Sequence, residues 1–256
     1  MASAMVQGLL AKGSASPGTL TCTCGKDPTG PSLAERTGIH YVENLTDALP
    51  SSDLLILACK PQQLDSLPAS LQEETEGKLI LSILAGIPIA RLEKIAPAAR
   101  NIVRVMPNTP AQIGKGVSAY ASKQPLTDED LSSVETLLSS MGKVVPVDES
   151  DLDAITALSG SGPAYLFEFT RLLAEAGESL GLSKEVANLL ARETIIGSAG
   201  LLEKRTDSEP IELVREVTSP GGTTEAALKQ FEPDFASLVG KALTAARNRS
   251  EELSRI

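Results

Sequence analysis

The sequence predicts an α/β domain built on a doubly wound parallel sheet, followed by an all-helical domain. Two observations carry this reading. The first is a set of short, continuous apolar runs at 53–58 (DLLILA), 78–84 and 101–106, with helical segments at 61–71 and 88–95 between them. Runs of that kind are strands buried on both faces, and their alternation with helices is the pattern of βαβ units, which hold ligands at the carboxyl ends of the strands. The second is a change of pattern near residue 150, after which helical periodicity continues almost unbroken to residue 256.

Taken in order, Met1, Met5 and Leu9 recur at a spacing of four, so the chain opens inside a helix over residues 1–12. Residues 19–24 read as a strand and 32–36 as a short helix. After the three apolar runs come a strand at 118–121, a helix at 127–141 and a strand at 143–147. Helices are then predicted at 151–158, 162–181, 183–204, 210–216, 223–231 and 233–254. Gly181, Pro210 and the Ser-Pro-Gly-Gly turn break them, because proline cannot continue a helix and glycine favours its exit. The domains are therefore set at 1–149 and 150–256, and the second has helices long enough to pack against a second copy of themselves.

Composition excludes several classes of function. Of 256 residues 42% are apolar, enough for a substantial core, while 33 acidic against 23 basic residues give a net charge of −10. A like-charged surface argues against nucleic acid or an anionic membrane as partner. No apolar run reaches the length of a membrane span and the first residues lack a signal-peptide pattern, so a cytoplasmic location is expected. Cys22, Cys24 and Cys59 lack zinc-type spacing and read as reduced packing residues. The one histidine, His40, has no nucleophile motif beside it, so neither a metal site nor histidine-based catalysis is expected, and the chemistry must come from a cofactor.

One stretch organises the helical part: Thr218-Ser219-Pro220-Gly221-Gly222-Thr223-Thr224-Glu225. Pro220 and the glycine pair should turn the chain tightly and release a helix at Thr223. The free N–H groups of that helix start, beside the hydroxyls of Ser219, Thr223 and Thr224, suit a small anion such as a carboxylate. An ordinary N-capped helix is the plainer reading of the spacing by itself.

The full stretch VTSPGGTTEAAL, together with ACKP at 58–61, RVMPNTP at 104–110 and LSGSGPAY at 158–165, resembles the signature blocks of the pyrroline-5-carboxylate reductases, in family order and over nearly the whole chain. The resemblance implies a Rossmann-like domain and an all-helical dimerisation domain. It implies transfer of a hydride from NADPH to the C=N bond of 1-pyrroline-5-carboxylate, giving L-proline. It places NADPH, with NADH as a second option, across the strand ends at Ala58, Cys59, Lys60 and Pro61, at Ile83, Leu84 and Ala85, and at Asn108. The adenosine end falls near Gly25, Lys26 and Asn44, where Lys26 suits a 2′-phosphate and Asp27 opposes one. Ser219, Gly222, Thr223 and Thr224 correspond to the substrate-carboxylate site, with the catalytic Thr224 hydroxyl near the ring nitrogen, and Glu149 to an acid near the substrate. The family's sites are completed across a homodimer, with a ring of dimers as a larger form.

Gly160-Ser161-Gly162 follows a helical segment rather than a strand, so it is not a dinucleotide fingerprint. In the family a first strand and glycine-rich loop lie just before the point matching Met1. The sequence therefore leads to the expectation of a truncated chain or a misplaced start, and leaves a rival reading of a non-catalytic dimerising homologue that binds NADPH poorly.

Overall fold

A computed structural model describes residues 1–25 and 27–254. The chain divides into two compact units, Met1–Ser161 with Ala245–Ile256, and Gly162–Thr244. The sequence reading changes domain at 149/150. The contacts divide the chain twelve residues later, between Ser161 and Gly162, and return the end of the last helix to the first unit.

The first unit opens with α1 (Ala2–Ala11), as the four-residue stripe predicts, and Met5 and Leu9 are buried. Then come β1 (Thr21–Cys22), α2 (Thr29–Thr37), β2 (His40–Tyr41), α3 (Leu45–Ala48), β3 (Leu54–Leu57), α4 (Leu71–Glu74), β4 (Leu79–Ser82), α5 (Ile89–Ile95), β5 (Asn101–Met106), β6 (Gly116–Ser122), α6 (Asp128–Ser139), β7 (Gly142–Pro146) and α7 (Leu152–Ile155). The strand expected over 19–24 shortens to two residues. The helix expected over 61–71 is a 3-10 turn, Pro61–Ser66, followed by the four-residue α4, because Pro61 and Pro68 punctuate the segment.

Two sheets result. β1 and β2 pair in parallel, and a five-stranded sheet has the order β3-β4-β5-β6-β7. β3, β4 and β5 are parallel, whereas β6 runs antiparallel to β5, so the larger sheet is mixed. β3 is an edge strand of that sheet, and Leu54, Leu55 and Ile56 are only half-buried where full burial is expected of a central strand.

The period-2 alternation of strand side chains sorts the core onto two faces. Leu79 and Leu81 of β4 with Val103 and Val105 of β5 meet Met5 and Leu9 of α1 and Val134 and Leu138 of α6. Ile80 and Ile102 point the other way, to Leu64, Leu84, Ile87, Ile89 and Leu92. α6 is started by Thr127, whose hydroxyl accepts from the Asp130 amide at 3.2 Å. The buried Asp130 pairs with Arg100 at 2.7 Å, an interaction that raises the Arg100 pKa.

The second unit contains α8 (Gly162–Ser179), α9 (Lys184–Lys204), α10 (Pro210–Glu216), α11 (Thr223–Phe231) and the first half of α12 (Phe235–Ser254). Gly181 takes φ 99°, a left-handed turn between α8 and α9. Ser183 caps α9 by accepting from Val186 at 3.4 Å. None of the described helices is long and apolar enough to cross a membrane.

Candidate functional site

In the first unit the cofactor residues expected at 58–61, 83–85 and 108 follow the carboxyl ends of three strands of the larger sheet. The register sets Leu57 beside Ser82 and Ser82 beside Arg104, so three parallel strands end together. Ala58, Cys59 and Lys60 leave β3, and the Lys60 amide donates to the Gln63 side chain at 2.9 Å while the Gln63 amide donates to the Lys60 carbonyl at 2.8 Å, starting the Pro61 turn. Ile83, Leu84 and Ala85 leave β4; the Ile83 amide still bonds to Leu57 at 3.0 Å, and Ala85 is exposed. Pro107 and Asn108 leave β5.

Asn108 is buried and its side chain is engaged internally. Its Nδ2 donates to the Ser159 carbonyl at 3.2 Å and its Oδ1 accepts from the Val117 amide at 3.0 Å. Ser159 lies in a π-helical turn over Thr156–Gly160, within the LSGSG block. Single π turns of this kind occur often at functional sites, and here one is clasped to the end of β5.

Gly25 and Asn44 follow the two strands of the smaller sheet, both of them exposed. Asn44 stands at the start of α3 and its Nδ2 donates to Asp47 at 3.2 Å. Lys26 lies outside the described residues. Asp27, read as opposing a 2′-phosphate, accepts through Oδ1 from the Thr29 amide at 2.9 Å and from the Thr29 hydroxyl, at the start of α2. Those bonds hold the Asp27 pKa below the usual carboxylate range.

Burial pushes the Cys59 thiol pKa above its ordinary value. A raised pKa means less thiolate at neutral pH, so iodoacetamide labelling of Cys59 should stay slow at pH 7 and rise only at a pH above that at which a free cysteine peptide reacts. Peptide mass spectrometry across a pH series measures this; a profile matching the free peptide would contradict it.

The glycine turn of the second unit behaves as its residues dictate. Gly221 adopts φ 72° and its amide donates to the Glu225 carboxylate at 2.8 Å, tying the turn to the first turn of α11. The Gly222 amide donates to the Ser219 carbonyl at 3.0 Å. A Cβ on Gly222 would lie 2.5 Å from the Ser219 hydroxyl oxygen, so the missing side chain is what lets that hydroxyl sit over the helix start. Gly222 is the N-cap residue and provides no side-chain cap. Among the described residues, the amides of Thr223, Thr224 and Glu225 and the hydroxyls of Ser219, Thr223 and Thr224 have no protein partner. A nine-residue helix thus presents free N–H groups and three free hydroxyls together, the donor set a carboxylate requires.

Glu149 belongs to the first unit and its carboxylate is also engaged. Its Oε1 accepts from the Ile89 amide at 2.7 Å and lies 3.3 Å from Nη1 of the buried Arg104. Arg104 escaped the sequence reading, which took 101–106 as an apolar strand. Its signal was an arginine in the middle of a buried run, a residue that must have acidic partners folded against it.

Residues 149–253 match the family model for pyrroline-5-carboxylate reductase dimerisation, and residues 1–86 the model for NADP oxidoreductase, coenzyme F420-dependent. A pyrroline-5-carboxylate reductase of Corynebacterium melassecola is 38% identical over 257 residues, covering 98% of this chain and 94% of the relative. The solved pyrroline-5-carboxylate reductase of Coxiella burnetii superposes with a TM-score of 0.91 at 35% identity, covering 99% of this chain and 94% of that one. A Plasmodium falciparum pyrroline carboxylate reductase solved with NADP bound gives a TM-score of 0.85 at 30% identity, covering 98% and 94%. With identity at this level across both units, the chain belongs to the pyrroline-5-carboxylate reductase family.

Proposed function

We propose that the protein reduces 1-pyrroline-5-carboxylate to L-proline with NADPH, and that the open start of α11 holds the substrate carboxylate. The observation that carries this reading is the cluster of unpaired donors at Ser219, Thr223 and Thr224 on a helix N-terminus. The strand-end residues suit a dinucleotide: Ala58 and Ala85 are small and exposed, and Lys60, which follows Ala58 and Cys59 in the chain, is an exposed cation. NADPH, when bound there, supplies the hydride.

The rest of the chemistry asks little of the side chains. The cyclic imine reacts in its protonated form, so C5 is already electrophilic; the hydride forms the new C5–H bond and the C=N π pair becomes the lone pair of the ring nitrogen. The α11 amides and the Ser219 and Thr223 hydroxyls fix the carboxylate and so orient C5, while the Thr224 hydroxyl accepts from the iminium N–H and holds the ring face. Positioning of this kind supplies most of the rate where the electrophile needs no activation. NADPH is taken as the hydride donor on the family resemblance, with NADH as the second option, because only Oδ1 of Asp27 is engaged by Thr29 and its second oxygen could still accept from a ribose hydroxyl.

The active form is a homodimer, assembled through the helical unit in the cytoplasm. Phe167 is 67% exposed and Leu189 60% exposed in the isolated chain, with Leu166, Leu190, Ile196 and Leu201 also bare, an apolar load that a second copy would cover. Loss of NADPH absorbance on adding pyrroline-5-carboxylate, with proline detected as product, tests the activity. The unsubstituted cyclic imine 1-pyrroline, which lacks the carboxylate, should turn over far more slowly. A folded dimer by light scattering that consumes no NADPH with either compound would overturn the proposal.

A further inference from the structure

We infer that Glu149 is a positioning residue for the cofactor, acting through the loop after β4, rather than a group that touches the substrate. The inference rests on the reading above that Ile83, Leu84 and Ala85 border the nicotinamide. Arg104 is only 6% exposed, and its guanidinium lies between two acids, 3.3 Å from Glu149 and 3.6 Å from Asp153. Asp153 in turn accepts from the buried Ser250 hydroxyl at 2.6 Å, which brings the end of α12 into the same cluster. All four residues belong to the first unit.

The cluster brackets the loop at both ends. Arg104 stands directly beside Ser82, the last residue of β4, in the β4–β5 register. Glu149 accepts the amide of Ile89, the first residue of α5, at 2.7 Å. The six residues between, Ile83 to Pro88, therefore run from a strand end held next to Arg104 to a helix start held by the acid that Arg104 neutralises. Within the loop Leu84 and Ile87 are pinned in the core, leaving Ala85 as the exposed residue at its tip. A carboxylate with one oxygen on a backbone amide and on a buried guanidinium has its position fixed by two charge-assisted bonds, and moving it moves the start of α5.

Glu149→Ala removes both bonds, whereas Glu149→Gln keeps an oxygen able to accept from Ile89. Glu149→Ala should raise the NADPH dissociation constant about tenfold, the scale of one lost hydrogen bond to a charged group, while the KM for pyrroline-5-carboxylate stays within about twofold. Glu149→Gln should stay within about threefold of wild type in both. Should Glu149→Ala fail to fold, Glu149→Asp, which keeps the charge but shortens its reach, must show the rise in the NADPH constant. A rise in the imine KM with NADPH binding unchanged would put Glu149 on the substrate and overturn the inference, as would wild-type NADPH affinity in the alanine or aspartate variant. Wild-type protein that binds NADPH but reduces no pyrroline-5-carboxylate would remove the substrate reading and leave this test intact. Wild-type protein that binds no NADPH would remove both.

Discussion

Thr224→Ala should lower kcat/KM for pyrroline-5-carboxylate roughly 5- to 150-fold, the loss of one hydrogen bond of about 1–3 kcal/mol made to the reacting ring. The hydroxyl has no protein partner among the described residues, so nothing in the fold depends on it. Thr224 lies in the first turn of α11, where the turn is held by Gly221 donating to Glu225 and by Gly222 donating to Ser219. Neither bond involves the Thr224 side chain, and alanine is the better helix former. Stability should therefore change by less than about 0.5 kcal/mol, within the ordinary range for a surface substitution. Steady-state kinetics with thermal melts on the same preparation separate the two effects. Unchanged kcat/KM would place the substrate ring elsewhere, and a large fall in melting temperature would mean that the hydroxyl holds the fold.

How much of this was legible depended on whether a residue's neighbours in sequence are also its neighbours in space. The runs of β4 and β5 alternate Leu79-Ile80-Leu81 and Ile102-Val103-Arg104-Val105, and that local pattern assigns the two core faces without further information. The helical unit was legible because Gly181, Pro210 and Gly221 punctuate it at the chain level. The α11 turn was legible for the same reason, since its donors are consecutive residues. The direction of β6 was not, because Gly116–Ser122 reads as the same half-apolar strand whether it runs parallel or antiparallel to β5. Nor was the return of α12 to the first unit, which shows in a serine, Ser250, reaching an aspartate 97 positions away. Asn108 illustrates the boundary: its place at a strand end followed from sequence, but that its amide is taken by Ser159 and Val117 did not. Family resemblance supplied roles for Glu149 and Asn108, and the geometry supplied what their polar atoms are bonded to.

Gly142→Ala should be the more disruptive substitution for stability, costing roughly 3–5 kcal/mol against a typical total of about 5–15. Gly142 opens β7 at φ 145°, a conformation that side-chain-bearing residues rarely adopt. It pairs directly with Gly116 of β6. A Cβ at this position would lie 2.0 Å from the Gly116 carbonyl oxygen and 2.6 Å from its nitrogen, and because these are backbone atoms no rotamer change relieves the overlap. Gly116 cannot retreat, since its own Cα faces Ala111, where an added Cβ would meet backbone and side chain within 2.9 Å, and its amide is bonded to Met141 at 2.9 Å. The strands must therefore part at the end of the ladder, loosening the fully buried Met141 against Val134 and Leu138. For a chain of this size that loss corresponds to a fall in melting temperature of roughly 6–20 °C. Gly13→Ala is the control: Gly13 also has positive φ, 66°, but nothing lies within 4 Å of an added Cβ, so only the backbone strain, about 1 kcal/mol, is incurred. Thermal and urea unfolding of the two variants side by side decide the matter, and Gly142→Ala melting within a degree or two of Gly13→Ala would mean that the β6–β7 ladder yields far more easily than its geometry implies.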